Sequence, residues 1–147
     1  MPARSSRTSV ARCRGAGAFI GSGRPDWRRH SAVAGPLGLG GNGRDFTHAD
    51  EISPGTLETK IPLLVAGHQK AVLLVPRRER RRVALLYGRE AIAGNIRRIE
   101  SGFDRVVFIP CQDKPRTVWP GGLLLASRKR ITLRVEAGGR THTLRLG

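Results

Sequence analysis

The chain is poor in aromatic residues, in acids and in lysine. Phe, Trp and Tyr make up 5% of its 147 residues. Single-stranded nucleic acids are held by stacking bases on such rings, so that mode of recognition has little support. Only 11 residues are acidic. Seven fall after residue 57, at positions 58, 79, 90, 100, 104, 113 and 136, mostly at expected strand ends or outward faces. A general acid/base pair is therefore not expected. The two cysteines, Cys13 and Cys111, cannot hold a metal by themselves, and their number does not fix the redox compartment. No GxSxG, HExxH, CxxC or GK[ST] sequence occurs, which removes the common signatures of hydrolases, zinc peptidases, dithiol redox proteins and P-loop enzymes. No run reaches the ~18 apolar residues of a membrane-spanning helix. The start, MPARSSRTSVARCRGAGAFIGSGRPDWRRH, is basic, but its apolar stretch from Ala16 to Ile20 is short and broken by Gly17. As written it is not a signal peptide. It has the composition of a disordered leader, and a misplaced start codon would also produce such a segment.

What is abundant is positive charge. The formal net charge is +16, with an isoelectric point near 11.7. Such a balance points to a polyanion partner: nucleic acid, anionic lipid or acidic polysaccharide. Only Lys60, Lys70, Lys114 and Lys129 are lysines; the other basic residues are Arg. A ratio this lopsided, with abundant Ala and Gly, is also what GC-rich coding produces without selection for binding. Nineteen Gly and nine Pro imply many turns and few long helices.

Along the chain, residues 1–32 lack periodicity and read as a disordered basic leader. Residues 33–57 are a turn-rich connecting segment with one short strand near Val33 and a brief helical turn starting at Thr47. From residue 58 the pattern changes. KIPLLVA (60–66) and KAVLLV (70–75) are apolar runs separated by Gly67-His68-Gln69, the spacing of a hairpin loop. RVALLY (82–87) is a third strand. Ile92, Ile96 and Ile99 allow a short helix broken by Gly94. In DRVVFIP (104–110), four consecutive apolar positions predict a central strand buried on both faces. Gly121-Gly122 opens a strand through Ala126. In residues 130–136, Ile131, Leu133 and Val135 alternate inward. After Ala137-Gly138-Gly139 the chain returns with His142, Leu144 and Leu146 on one face, which predicts a hairpin. About seven short strands at this spacing predict an all-β fold over 58–147, a small antiparallel β-sandwich, with no βαβ unit for a parallel sheet.

Few residues carry candidate chemistry. Gly38-Leu39-Gly40-Gly41-Asn42-Gly43 matches GxGxxG, but a phosphate-binding turn must join a strand to a helix, and no convincing helix follows. Asp45, His48, Asp50 and Glu51 offer oxygen and imidazole ligands, the basis of a metal-dependent alternative; the competing reading is a solvated polar loop. His30, His48, His68 and His142 share no local motif with Ser, Cys or Asp. No catalytic residue, metal ligand or cofactor is assigned. The strongest charge feature is the run Arg77, Arg78, Glu79, Arg80, Arg81 and Arg82, followed at a distance by Arg128, Lys129 and Arg130. Their guanidinium groups can engage phosphate, sulfate or carboxylate bidentately, or simply form a solvated loop that protects a sheet edge. Trp119, ahead of Pro-Gly-Gly, either caps the core or stacks on a ligand such as a sugar.

The order of KIPLLV, VLLVP, RRERRRVALLYG, DRVVFIPC, TVWPGGLLLAS and ITLRVEAGGRTHTLRLG resembles a family of uncharacterised actinobacterial proteins, with Phe-x-x-Cys followed by Trp-Pro-Gly-Gly as its most specific element. The resemblance covers roughly residues 58–147. It implies a secreted or envelope-associated domain and carries no activity; the missing catalytic signatures and the basic charge give the expectation of a non-enzymatic domain with a structural or binding role and a cell-envelope component or polyanion as partner. It also implies that Cys111 pairs with a cysteine just before the penultimate strand. Arg130 stands at that position, so Cys111 is expected to be a free thiol unless Cys13 substitutes.

Overall fold

The structure is a computed structural model and describes residues 6–16, 32–40 and 46–147. Thirteen strands run in chain order among these residues. They are β1 Thr8–Ala11, β2 Ala32–Ala34, β3 Leu37–Leu39, β4 Asp50–Ser53, β5 Thr56–Lys60, β6 Leu63–Ala66, β7 Ala71–Leu74, β8 Val83–Tyr87, β9 Arg105–Phe108, β10 Arg116–Trp119, β11 Gly121–Leu125, β12 Ile131–Ala137 and β13 Arg140–Leu146. One short helix, α1, spans Arg89–Ala93, and single 3-10 turns lie at Cys13–Gly15, Arg77–Glu79 and Ile99–Ser101. The fold is all-β. A five-stranded sheet has the order β1-β9-β7-β12-β13, and two four-stranded sheets have the orders β10-β6-β3-β2 and β4-β5-β11-β8.

The three sheets share one apolar core because each turns an alternating set of side chains toward it. β12 contributes Ile131, Leu133 and Val135, and β13 contributes Leu144 and Leu146. These two strands form the expected hairpin, in register from Ile131 opposite Leu146 to Ala137 opposite Arg140. Gly138 (φ 58°) and Gly139 (φ 74°) form its two-residue loop. Two positive φ angles in succession define a type I′ turn, whose twist matches that of the strands. At the centre of the core, Tyr87 and Phe108 meet edge to face at 5.7 Å, and Phe108 tilts against Trp119 at 5.1 Å.

The β4-β5-β11-β8 sheet is covered on both faces. Leu123 and Leu125 join the main core, while Leu124 and Ala84 pack beneath Ile99 in a second cluster, with Ile52, Leu86 and Ile96 against it. β11 fits between β5 and β8 only because it starts with two glycines. A Cβ on Gly121 (φ 154°) would collide with the Tyr87 ring, and one on Gly122 with the Thr59 carbonyl oxygen.

Five sequence expectations are corrected. DRVVFIP does lie inside a sheet, as β9 between β1 and β7, but it alternates: Val106 and Phe108 are buried, while Val107 and Ile109 are half-buried on the outer face. β6 and β7 are not a hairpin. β6 is flanked by β3 and β10, and β7 by β9 and β12, so neither has a free hydrogen-bonding edge for the other. The strands also begin before residue 58, since β4 and β5 pair across Pro54-Gly55, and Thr47-His48 is a turn rather than helix.

The fifth correction concerns the leader. Residues 1–5 and 17–31 lie outside the described residues, but Thr8–Ala11 forms β1, parallel to β9. Four observations explain its capture. Asp104, almost fully buried, accepts hydrogen bonds from the Ser6 hydroxyl (2.9 Å) and the Arg7 backbone N–H (3.1 Å). Trp119 Nε1 donates to the Arg12 carbonyl oxygen at 2.8 Å. Ala11 is buried in the core. Cys13 is joined to Cys111 by a disulfide with Cα atoms 4.8 Å apart, so Cys111 is not free. Short runs such as TSVA carry no periodic signal of their own, and long-range partners decide their state.

Candidate functional site

The two basic stretches become one surface. β8 and β11 run antiparallel with Val83 opposite Leu125, which brings the segment before β8 beside the segment after β11. Glu79 anchors the turn. It is buried, accepts from Arg82 Nη1 at 2.9 Å and from the Thr132 backbone N–H at 3.1 Å, and so fastens the turn to β12. Arg82 Nη2 donates to the Arg130 carbonyl oxygen at 2.8 Å, tying the two stretches together.

The eight candidate residues divide by role. Arg80 Nε lies 3.6 Å from the Asp104 carboxylate. Arg82 is occupied as described. Arg128 Nη2 donates to the Ala49 carbonyl oxygen at 2.7 Å, and Arg130 Nε to the Gly147 carbonyl oxygen at 3.4 Å. These four hold loops in place. Arg77, Arg78, Arg81 and Lys129 are exposed and form no ion pair with the described residues. They are the side chains free to meet an anion. The sequence reading did not separate these roles, because the separation depends on which carbonyls and carboxylates fold against the turn.

Trp119 does not present its ring to solvent. It is buried against Phe108 with its N–H satisfied, so it serves the core. Pro120 and Gly122 instead border a cavity of about 500 Å³ between β5, β11 and α1, with Glu58, Lys60, Leu86 and Ile96 in its walls. Tyr87 closes the core beside it. Its hydroxyl donates to the Ile61 carbonyl oxygen at 2.6 Å, and burial pushes its pKa far above the usual phenol range.

The metal-dependent alternative gains no geometry. Asp45 lies outside the described residues, and His48, Asp50 and Glu51 are exposed. Among the described residues, the one grouping of three ligand atoms is Cys13, Cys111 and Asp113, and its two sulfurs are bonded to each other. The GxGxxG match starts inside β3, where Gly38 and Gly40 are buried and the Gly40 N–H donates to the Pro62 carbonyl oxygen; residues 41–43 lie outside the described residues. Among the described residues, no helix is long and apolar enough to cross a membrane.

A second basic region was missed. The outer face of the five-stranded sheet carries Arg105 on β9, Arg134 on β12 and Arg145 on β13. Arg105 and Arg134 both lie opposite Leu74 of β7, one on each side. Lys70, Arg105, Arg140 and Glu136 border a groove of about 360 Å³ on this face, with Val72 among them. Alternation in β12 and β13 marks their outward positions. It cannot show that β7 and β9 lie beside them.

Comparison with known protein families, with curated proteins and with solved structures finds no match to this chain.

Proposed function

We propose that this chain is a non-enzymatic binding domain, bacterial and secreted or associated with the cell envelope. The observation that carries the reading is the Cys13–Cys111 disulfide. Structural disulfides persist in oxidising compartments and are rare where glutathione and thioredoxin keep thiols reduced. The bond joins residues separated by 98 positions and tethers β1 to the sheet, the use expected of a structural staple. The resemblance in the Phe-x-x-Cys and Trp-Pro-Gly-Gly segments points to the same location. Fractionation of the source cells, with thiol labelling of the recovered protein, tests it. The protein is expected outside the cytoplasm with both cysteines protected until reduction. Recovery from the cytosol with both thiols open to label would refute the reading.

A second reading, that the ligand is a polyanion, is favoured by the union of the two arginine stretches. Arg77, Arg78, Arg81 and Lys129 offer four exposed cations without an ion-pair partner among the described residues, on a chain of net charge +16. Such cations gain by displacing the counterions condensed on a charged polymer, so binding weakens steeply with salt. Binding to immobilised heparin that is lost when all four are replaced by Gln supports this reading. Absence of binding at physiological salt removes it.

A further inference from the structure

We infer that the outer face of the five-stranded sheet is the track along which an acidic polysaccharide lies, with the groove formed by Lys70, Arg105 and Arg140 as its principal anion site. This deepens the polyanion reading and rests on it. Lys70, Arg105 and Arg140 form no ion pair with any described residue. Glu136 is the groove's one carboxylate, so three cations against one leave it net positive. Cations brought together without internal compensation repel one another, and an anion placed among them relieves that repulsion.

The track extends beyond the groove. β9 and β12 are separated by β7 alone, so the backbones of Arg105 and Arg134 stand about 10 Å apart at the usual strand spacing. On β13, Arg145 points outward, while Arg140, about 17 Å away at the hairpin end, borders the groove. Arg145 lies opposite Thr132, whose backbone N–H is bonded to Glu79 of the arginine turn. The sheet face therefore runs into Arg77 and Arg78 at one end and into the groove at the other. A linear polymer with charges along its length can follow this path; a single small anion would use only part of it.

The chemistry favours a sugar polymer over nucleic acid. Among the described residues every aromatic ring is buried: Phe46, Tyr87, Phe103, Phe108 and Trp119. None of these rings is exposed to stack on a base. The one α-helix among the described residues has five residues, too short to enter a duplex groove as a recognition helix. At the hairpin tip, Gly138 and Gly139 keep the groove mouth free of side chains.

The test uses the full chain with two probes, a size-defined heparin oligosaccharide and a DNA duplex of equal charge, titrated across a salt series. Three variants are compared with the parent: the sheet-face triple Lys70→Gln/Arg105→Gln/Arg140→Gln, the exposed single Arg140→Glu, and the turn triple Arg77→Gln/Arg78→Gln/Arg81→Gln. The parent is expected to prefer heparin. The sheet-face triple should lose about 30-fold or more in heparin affinity, with a shallower salt slope. Arg140→Glu, at a hairpin end where no packing is lost, should lose about fivefold with an unchanged melting temperature. Loss of heparin binding in the turn triple alone, with the sheet-face variants like the parent, overturns the track while leaving the polyanion reading in place. No heparin binding by the parent overturns both. Equal or tighter binding of DNA overturns the choice of polysaccharide.

Discussion

Tyr87 makes the packing of the core measurable by alkali. It is the only tyrosine in the chain, so tyrosinate absorbance reports this side chain alone. It is fully buried, and its hydroxyl donates to the Ile61 carbonyl oxygen at 2.6 Å. Ionisation inside the core would place a phenolate away from water and facing a carbonyl oxygen, which is why its pKa is raised far above the usual phenol value. In the unfolded chain a phenol titrates near ~10. Above that pH the unfolded state releases a proton that the folded state keeps. A raised folded pKa gives stability that is fully present below the unfolded value and lost as pH rises toward the folded one. The loss is about 1.4 kcal/mol per pH unit, or roughly 2.7 kcal/mol by pH 12. That is a large share of the ~5–15 kcal/mol typical of a domain. The assay follows tyrosinate absorbance and far-UV circular dichroism together through an alkaline titration. Both signals should change in one transition, well above pH 10. Tyr87→Phe should lose about 1–2 kcal/mol at neutral pH through the missing hydrogen bond and should lack this phenol's share of the alkaline slope. Tyrosinate appearing near pH 10 while the dichroism stays native would refute the reasoning, because the phenol would then be open to water.

Two further perturbations test how the sheets are assembled. Cys13→Ser/Cys111→Ser removes a tether across 98 positions, for which the chain-entropy model gives about 4.7 kcal/mol; a melting temperature lower by about 10 °C is expected, and a change within 2 °C would show that β1 adds no stability through the bridge. Gly122→Ala places a methyl group against the Thr59 carbonyl oxygen, in the middle of the β5–β11 pairing; a loss of about 2–4 kcal/mol in denaturant unfolding is expected, and an unchanged midpoint would show that the two strands are not held this closely.

Much of the fold follows from local pattern. Alternation in residues 130–146 carries the β12–β13 hairpin, because strict period-2 patterning and a Gly-Gly loop leave one register that buries Ile131, Leu133, Val135, Leu144 and Leu146. A continuous apolar run is less informative. VVFI and LLL look alike as strings, yet β9 exposes part of one face while β11 is covered on both, because only the β11 sheet lies under the Ile96–Ile99 segment. Hairpin spacing misled at Gly67-His68-Gln69, where each flanking strand already has two neighbours in its own sheet.

The sequence alone determined that the chain is all-β from residue 58 onward, that Arg is concentrated at 77–82 and 128–130, and that Gly pairs punctuate the last strands. These are local properties, set by composition and periodicity. Tertiary structure decided what they mean. It recruited β1 from a segment without local signal, through Asp104, Trp119 and the Cys13–Cys111 bond. It turned Trp119 inward. It divided the arginines into those that fasten loops and those that face solvent, and it set Arg105 and Arg134 on either side of Leu74. Each of these outcomes depends on contacts between residues far apart in the chain, which no reading of neighbouring positions contains.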